Sequence, residues 1–263
     1  MRTPMRWLRM SALELWLPVT LIVVWWLASQ DSTSIYFPPL PDILESFRAD
    51  WLSADGAHNL RPSLTVLGAG FGLAIVVGVS VGAVLGLSRT AERATRPLLE
   101  LLRAVPGVAL LPVFIVLIGI GTDMKIVLVA SGAVWPVLLN TTDGVRSTEP
   151  LLIDMAVSYG MGLRRRLRSI VLPAASPQIF AGARTALAIS VIIMVVSETV
   201  GAQGGIGYFL LAAQRNFQIT DMWGTIVALG VLGYLLNVVF RLIEAVVLRW
   251  HRLYQARLSA AGR

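Results

Sequence analysis

The chain has 263 residues, 56% of them hydrophobic and only 14% charged, and its mean hydropathy is +0.73. A soluble domain carries about 25% charged residues, so this composition excludes a water-soluble enzyme. The 22 basic and 15 acidic residues give a net charge of +7, which in a membrane chain reports loop placement rather than a nucleic-acid partner. With no cysteine there is no disulfide, thiolate nucleophile or Cys-based metal site.

Uncharged runs cover 15–30, 62–88, 104–122, 126–142 and 222–240, and another at 169–197 is interrupted only by Arg184. A bilayer core needs roughly 20 apolar residues per helix, so these runs predict an all-α polytopic membrane protein with six transmembrane helices. Their expected bounds are about 11–29, 62–88, 106–121, 125–142, 177–198 and 222–248, in a single transmembrane domain over 1–263. With the N-terminus in the cytoplasm and the runs alternating, 18 of the 22 basic residues fall inside, leaving only Arg48, Arg61, Lys125 and Arg215 outside. The opposite orientation inverts the ratio, so both termini are expected in the cytoplasm and the chain in the cytoplasmic membrane.

The first run follows Arg2, Arg6 and Arg9, and reads either as a signal peptide cleaved near Ala28 or as a retained helix. Trp16, Trp25 and Trp26 near its ends favour retention, as interfacial anchors. Outside, residues 36–61 begin with a proline-rich stretch, Tyr36 to Pro41. They continue from Asp42, a candidate N-cap, with Ile43, Leu44, Phe47 and Trp51 on one helical face. That pattern predicts an amphipathic segment at the outer interface. In the second run Gly78, Gly82 and Gly86 form overlapping GxxxG steps, preceded by Gly68 and Gly72. Bare glycine faces allow close helix packing in lipid, here within the subunit or against a twin.

Between the fourth and fifth runs, residues 143–177 form an expected cytoplasmic loop. Leu151–Tyr159 has helical periodicity after Pro150, Gly160 and Gly162 break it, and a basic amphipathic helix from Leu163 is expected to stop at Pro173. A short helix, a glycine bend and a second short helix present apolar residues suited to a groove on a soluble partner. Arg164, Arg165, Arg166 and Arg168 serve either positive-inside retention or contact with that partner or anionic lipid.

Further on, Arg184 interrupts the fifth run and reads as a snorkelling side chain or a substrate contact. Glu198 ends that run beside Gly201, Gly204, Gly205, Gly207 and Tyr208. This carboxylate either shapes an outer gate or is solvated in an outer loop. Thr199–Gln214 reads as a partly re-entrant segment. On the last helix Glu244 is expected to pair with Arg241, three residues away. His58 and His251 have no companion at metal-ligand spacing.

Asp154-Met155-Ala156, Gly160 and Ile170-Val171-Leu172-Pro173 resemble the EAA motif of ABC-importer permeases. That motif reads Glu-Ala-Ala, three residues, Gly, nine residues, Ile-x-Leu-Pro; here Asp154 stands for Glu and Met155 for the first Ala. The likeness extends over roughly 36–250 and is closest to permeases of the nitrate, sulfonate and taurine subfamily. It rests on Pro62-Ser63-Leu64, Arg103 to Pro106, Lys125-Ile126, Leu139-Asn140-Thr141, Glu198 and Gly205 to Tyr208.

The resemblance implies the fold of a type I ABC importer permease and a homodimer. It also implies two separate ATP-binding subunits on the cytoplasmic face and an extracytoplasmic solute-binding protein. Asp154, Ala156 and Gly160 would meet the ATPase, while Ile170, Leu172 and Pro173 would fix the return into the fifth helix. Glu198, Gly205, Gly207 and Tyr208 would line a gate or pathway. No cofactor is expected on this chain. It lacks the Gly-Lys-Ser/Thr of a P-loop, so ATP and Mg²⁺ would sit on the partner ATPase. The implied cargo is an alkanesulfonate, taurine or a nitrate-like anion; related permeases extend the range to solutes such as a pyrimidine vitamin precursor. A stand-alone secondary transporter is the other class, but it expects midplane acids and inverted repeats that the sequence lacks.

Overall fold

The structure, a computed structural model, describes residues 4–250, without the side chains of 4–15, 18, 54 and 55. Arg2, His251 and the basic residues beyond it lie outside that range. Every regular element among the described residues is helical. The chain divides into two compact units, one comprising residues up to His58 with Phe209–Leu229, the other Asn59–Tyr208 and the residues from Gly230.

In the first unit, α1 (Pro4–Ser29) leads to α2 (Leu40–Trp51). The helix starts at Leu40 after Pro39, so Asp42 lies in its first turn and is not the N-cap. Pro41 is tolerated there because a first-turn N–H has no intrahelical partner anyway. Ser29 Oγ accepts the Leu40 N–H at 3.1 Å, and Ile43 is completely buried. Trp223 is the centre of this unit. The Trp25 ring meets its ring at 5.7 Å and that of Phe37 at 6.4 Å, both edge-on, and its indole N–H donates to Tyr36 O at 3.1 Å. Trp16 and Trp26 remain exposed, as residues anchored at a membrane interface would be.

In the second unit, α3 (Ala54–Leu87) enters a turn or two before the expected position and carries Pro62 inside it. After Ser88, whose hydroxyl caps the Ala91 N–H, comes α4 (Arg89–Ala104). The expected straight span at 106–121 is a 3₁₀ turn at Gly107–Leu110 followed by α5 (Leu111–Ile118). Together with α4 it forms a pair bent by 84°. Prolines at 106 and 112 and the positive φ of Gly119 account for so short a helix. Then follow α6 (Thr122–Arg146), α7 (Pro150–Ser158), α8 (Leu163–Arg166), a π-helical turn (Leu167–Val171) and α9 (Leu172–Glu198); of α10 (Ile206–Arg215) and α11 (Ile219–Val247), residues 209–229 belong to the first unit and the rest to the second.

Among the described residues, four helices are long and apolar enough to cross a bilayer: Gly56–Leu87, Thr122–Arg146, Leu163–Glu198 and Ile219–Val247. The bent pair makes a fifth if it counts as one span. The first expected span coincides with α1, whose apolar stretch with described side chains is Val19–Ser29.

The second unit is built around α6. A Cβ added to Gly70, Gly78 or Gly86 would lie 2.6–2.7 Å from the side chains of Val129, Val137 and Val145 respectively. At Gly82 it would lie 2.6 Å from Leu138 O. Glycines and valines thus advance together in steps of eight and four, so α3 and α6 run parallel with their i±4 rows in contact. Thr142 Oγ1 lies within hydrogen-bond reach of Leu138 O at 2.9 Å and, across the seam, of Gly82 O at 3.2 Å. Gly68 and Gly72 face open space and take no part. On its other side α6 meets α9 antiparallel, with Gly144 against Ala175, Gly182 against Pro136 and Gly132 against Ile193.

Arg184 and Glu244 pair with each other across helices. This replaces the expected Arg241–Glu244 pair. Two helices in contact bring opposite charges together more directly than i,i+3 spacing on one helix. Phe240 packs edge-on against Phe71, at 6.5 Å between ring centres, and lies 5.8 Å from Phe180.

Gly82→Val should lower the thermal stability of the detergent-purified protein by about 1–3 kcal/mol through overpacking. Gly68→Ala, facing open space, should leave the melting temperature unchanged; a thermal melt of the two variants checks both outcomes.

Candidate functional site

The segment with the motif spacing forms a protrusion at the end of α6. After Arg146 only Ser147, Thr148 and Glu149 precede α7, and the Ser147 and Thr148 N–H groups bond back to carbonyls of Asp143 and Val145. The short helix is therefore tied closely to the α6 terminus, although Glu149, with ψ 124°, separates the two helices. Pro150 occupies its first turn, where a missing N–H costs nothing. At the other end the Met161 N–H reaches Ala156 O and the Gly160 N–H reaches Val157 O, both at 2.9 Å. These are the two bonds of a Schellman cap, and Gly160 holds its left-handed position with φ +69°. Gly162 has an ordinary φ of −61° and caps α8, so of the two glycines only Gly160 is required by backbone geometry.

On α7 the motif residues divide by face. Ala156 is 2% exposed and closes onto the protein, whereas Asp154 points outward. Met155 is 48% exposed, which explains how a longer side chain stands where the motif has alanine: nothing in the chain crowds it. Leu151, Leu152, Val157, Tyr159 and Leu163 are also exposed. These residues form an apolar surface on a polar, arginine-rich end of the molecule. Arg164, Arg165 and Arg168 are exposed beside it.

Contrary to expectation, the basic helix does not stop at Pro173. Leu163–Glu198 is one continuous helix, and Pro173 lies in the first turn of α9. The strain that proline imposes, a lost N–H and a ring crowding the carbonyl four residues back, is taken up by the π turn before it, where the Leu172 N–H bonds to Leu167 O. Ile170, Leu172 and Pro173 are half-buried. The best-buried residue of that run is Val171, at the unspecified position of the motif, packed with Val145 and Ala175. The sequence reading did not single it out, because motif spacing is silent about it; its period with Ala175 was the available signal.

A second cluster lies at the far end of α9. Glu198 is 1% exposed, so the solvated alternative is overturned. Its Oε2 accepts the Ser63 hydroxyl at 3.0 Å and the Gly207 N–H at 2.9 Å, and Ser63 Oγ accepts the Ile206 N–H at 2.9 Å. Carboxylate and hydroxyl together satisfy the first N–H groups of α10, which have no intrahelical partner. Glu198 Oε1 has no hydrogen-bond partner. Gly205, with φ +103°, passes so close that an added Cβ would lie 2.5 Å from that oxygen, and at Gly207 it would lie 2.3 Å from Val195 O. Three of the residues singled out in sequence, Glu198, Gly205 and Gly207, are thus one assembly, with half-exposed Tyr208 next along α10. Ser63, Ile206 and Lys125 were not assigned to it; Lys125 is buried and within electrostatic range of Glu198. A lone lysine in an apolar protein and a lone acid at a helix end were the signal that could have linked them. Among the described residues no group of three or more His, Cys, Asp or Glu is placed to hold a metal ion.

The comparisons with known proteins agree on one family. Residues 74–252 match the family model described as binding-protein-dependent transport system inner membrane component. The chain is 34% identical, over 98% of both chains, to a protein of Escherichia coli (strain K12) named as an aliphatic sulfonates transport permease, SsuC. It is 31% identical to the Bacillus subtilis (strain 168) protein of the same name, over 91% of this chain and 87% of that one. It is 29% identical to the taurine transport system permease TauC of Escherichia coli (strain K12), over 88% and 86%. A chain of the MetNI methionine ABC transporter, solved in inward-facing conformations, has the same fold: TM-score 0.65 at 22% identity, over 73% of this chain and 95% of that one.

Gly160→Ala should weaken the end of α7 by about 1–2 kcal/mol, the usual penalty for a left-handed L-residue, while Gly162→Ala costs almost nothing. Proteolysis rates at 159–163 separate the two. Glu198→Ala should cost about 1–3 kcal/mol by leaving buried donors unpaired, and Glu198→Gln, which keeps an acceptor, distinctly less; amide exchange at Ile206 and Gly207 reads the difference.

Proposed function

The chain belongs to the family of binding-protein-dependent transport system inner membrane components, and from that premise we propose how this integral membrane permease works in an ABC importer. Two copies form the translocation path. Two ATP-binding subunits, encoded as a separate polypeptide and carrying ATP and Mg²⁺, dock on the cytoplasmic side, and an extracytoplasmic binding protein delivers the solute. The N- and C-termini lie in the cytoplasm, on the side that holds 18 of the 22 basic residues.

The observation that carries this reading is α7. Its apolar side chains are turned away from the protein on a short helix joined to α6 by only three residues, the form in which a helix fills a groove on a partner. When the docked ATPases close on ATP, α7 is carried with them, and α6 moves with α7. Since α6 is seated between α3 and α9, the displacement becomes a rigid-body change in which side of the membrane the path faces. At the opposite end the Glu198 assembly holds Gly205 to Tyr208 as a gate element whose irregular backbone is satisfied by buried groups, the condition for non-helical chain at membrane depth.

The cargo is a small oxyanion, an alkanesulfonate, taurine or a nitrate-like ion. What supports this class is the company the chain keeps: relatives named for aliphatic sulfonates, taurine and nitrate. A further relative named for formylaminopyrimidine makes a pyrimidine vitamin precursor the second candidate.

The permease co-expressed with its cognate ATPase should co-purify with it, and Met155→Glu or Leu151→Arg should reduce the retained ATPase at least about tenfold, as expected for a charge forced into an apolar groove. Retention unchanged in both variants sinks α7 as the docking helix. Titrating the partner binding protein with sulfonates, taurine and nitrate tests the cargo; silence for all three removes the oxyanion class.

A further inference from the structure

Helix α4 contributes no fully buried side chain to the second unit; Ala91, Glu92, Thr95 and Leu99 are half-buried. Between it and α6 lie two cavities. One, of about 520 Å³, is bounded by Arg89, Arg93 and Val145 and by Pro150 and Asp154 of α7. The other, of about 360 Å³, lies deeper, beside Leu99, Arg103 and Thr142. Glu92 and Arg146 line both. Their ion pair, Arg146 Nη2 to Glu92 Oε2 at 3.0 Å, is the partition between the two spaces. Among the described residues no other ion pair joins α4 to another helix; Arg96 pairs with Glu100 on α4 itself.

The two ends of this link are informative. Arg146 is the last residue of α6, with three residues between it and the start of α7. At its far end α4 meets the 84° break, where Gly107 is seated in the heart of the bundle: an added Cβ would lie 3.1 Å from Gly132 of α6 and 3.2 Å from Ile193 of α9. A displacement of α7 therefore reaches Arg146 directly, and α4, with no fully buried side chain along its length, can follow it as a lever whose fulcrum is the break.

Resting on the importer reading above, we infer that Glu92 and Arg146 are a positioning pair: they transmit the motion of α7 to α4 and, through the bend at Gly107, to the centre of the helix bundle. Neither touches solute or nucleotide. The pair is half-exposed, so its net contribution to folding is small. Its role is directional, since it converts a movement at the docking helix into a tilt of the broken segment without passing through the well-packed α6–α9 contact.

The absence of cysteine makes the test clean. Val105→Cys places a single thiol at the bend, exposed enough to react, and its maleimide labelling rate is measured in the permease–ATPase complex with and without ATP and vanadate. In this background the rate should change with nucleotide. Glu92→Gln and Arg146→Gln should each reduce that response by at least about twofold, the low end of what substitutions along a coupling path produce. The double variant should be no worse than either single one, and all should retain the ATPase and its hydrolysis. A response that persists in both single variants overturns the inference, as does a complex that hydrolyses ATP with no response at Val105→Cys. Loss of ATPase retention in the Gln variants also overturns it, by making the pair structural. If the unsubstituted chain retains no ATPase at all, the importer reading itself fails and the inference falls with it.

Discussion

The close approach of α3 and α9 to α6 is the constraint on which the second unit depends. In lipid, helices gain little by hiding apolar surface from one another, so association needs backbone-level contact. Glycines supply it on both sides of α6, from α3 at Gly78, Gly82 and Gly86 and in the α6–α9 contact at Gly132, Gly144 and Gly182. A helix held in this way cannot slide or roll by small amounts, because a valine seated over a bare backbone has no neighbouring position of equal energy. It moves as a body with what it contacts.

The two ends of the α6–α9 pair solve opposite problems. At the α7 end, backbone irregularity is met with local devices: a proline in a first turn, a Schellman cap on Gly160, and a π turn that absorbs Pro173. These keep an apolar helix standing away from the body. At the Glu198 end, Gly205 and the start of α10 are buried, and the first N–H groups of that helix need partners from elsewhere in the chain. Ser63 and Glu198, 135 residues apart, provide them for Ile206 and Gly207. One end leaves its apolar side chains exposed, and the other holds the start of a helix with buried partners.

Much of this was legible in the residues. The uncharged runs located the apolar helices, and the spacing from Asp154 to Pro173 located the protrusion, because both are patterns of local period. Gly78, Gly82 and Gly86 stood out for the same reason. Gly68 and Gly72 share their spacing yet face open space, since spacing alone does not say which stripe of a wholly apolar helix meets a neighbour. Pro173 misled as a helix end; it is absorbed by a continuing helix. The third run divided at Gly107, where uncharged length could not distinguish a straight span from a bent one.

By itself the sequence determined that the chain is a helical membrane protein and where its apolar segments lie, for these follow from composition and period. Only the tertiary structure decided the pairings. It joined Arg184 to Glu244 rather than Arg241 to Glu244, joined Glu92 to Arg146, buried Glu198 against Ser63, and turned Met155 outward beside an inward Ala156. The physical reason is common to all of them. Charge and hydrogen-bond partners are chosen by distance in space, and in a bundle that distance is set by which helix faces meet, which no one-dimensional spacing contains.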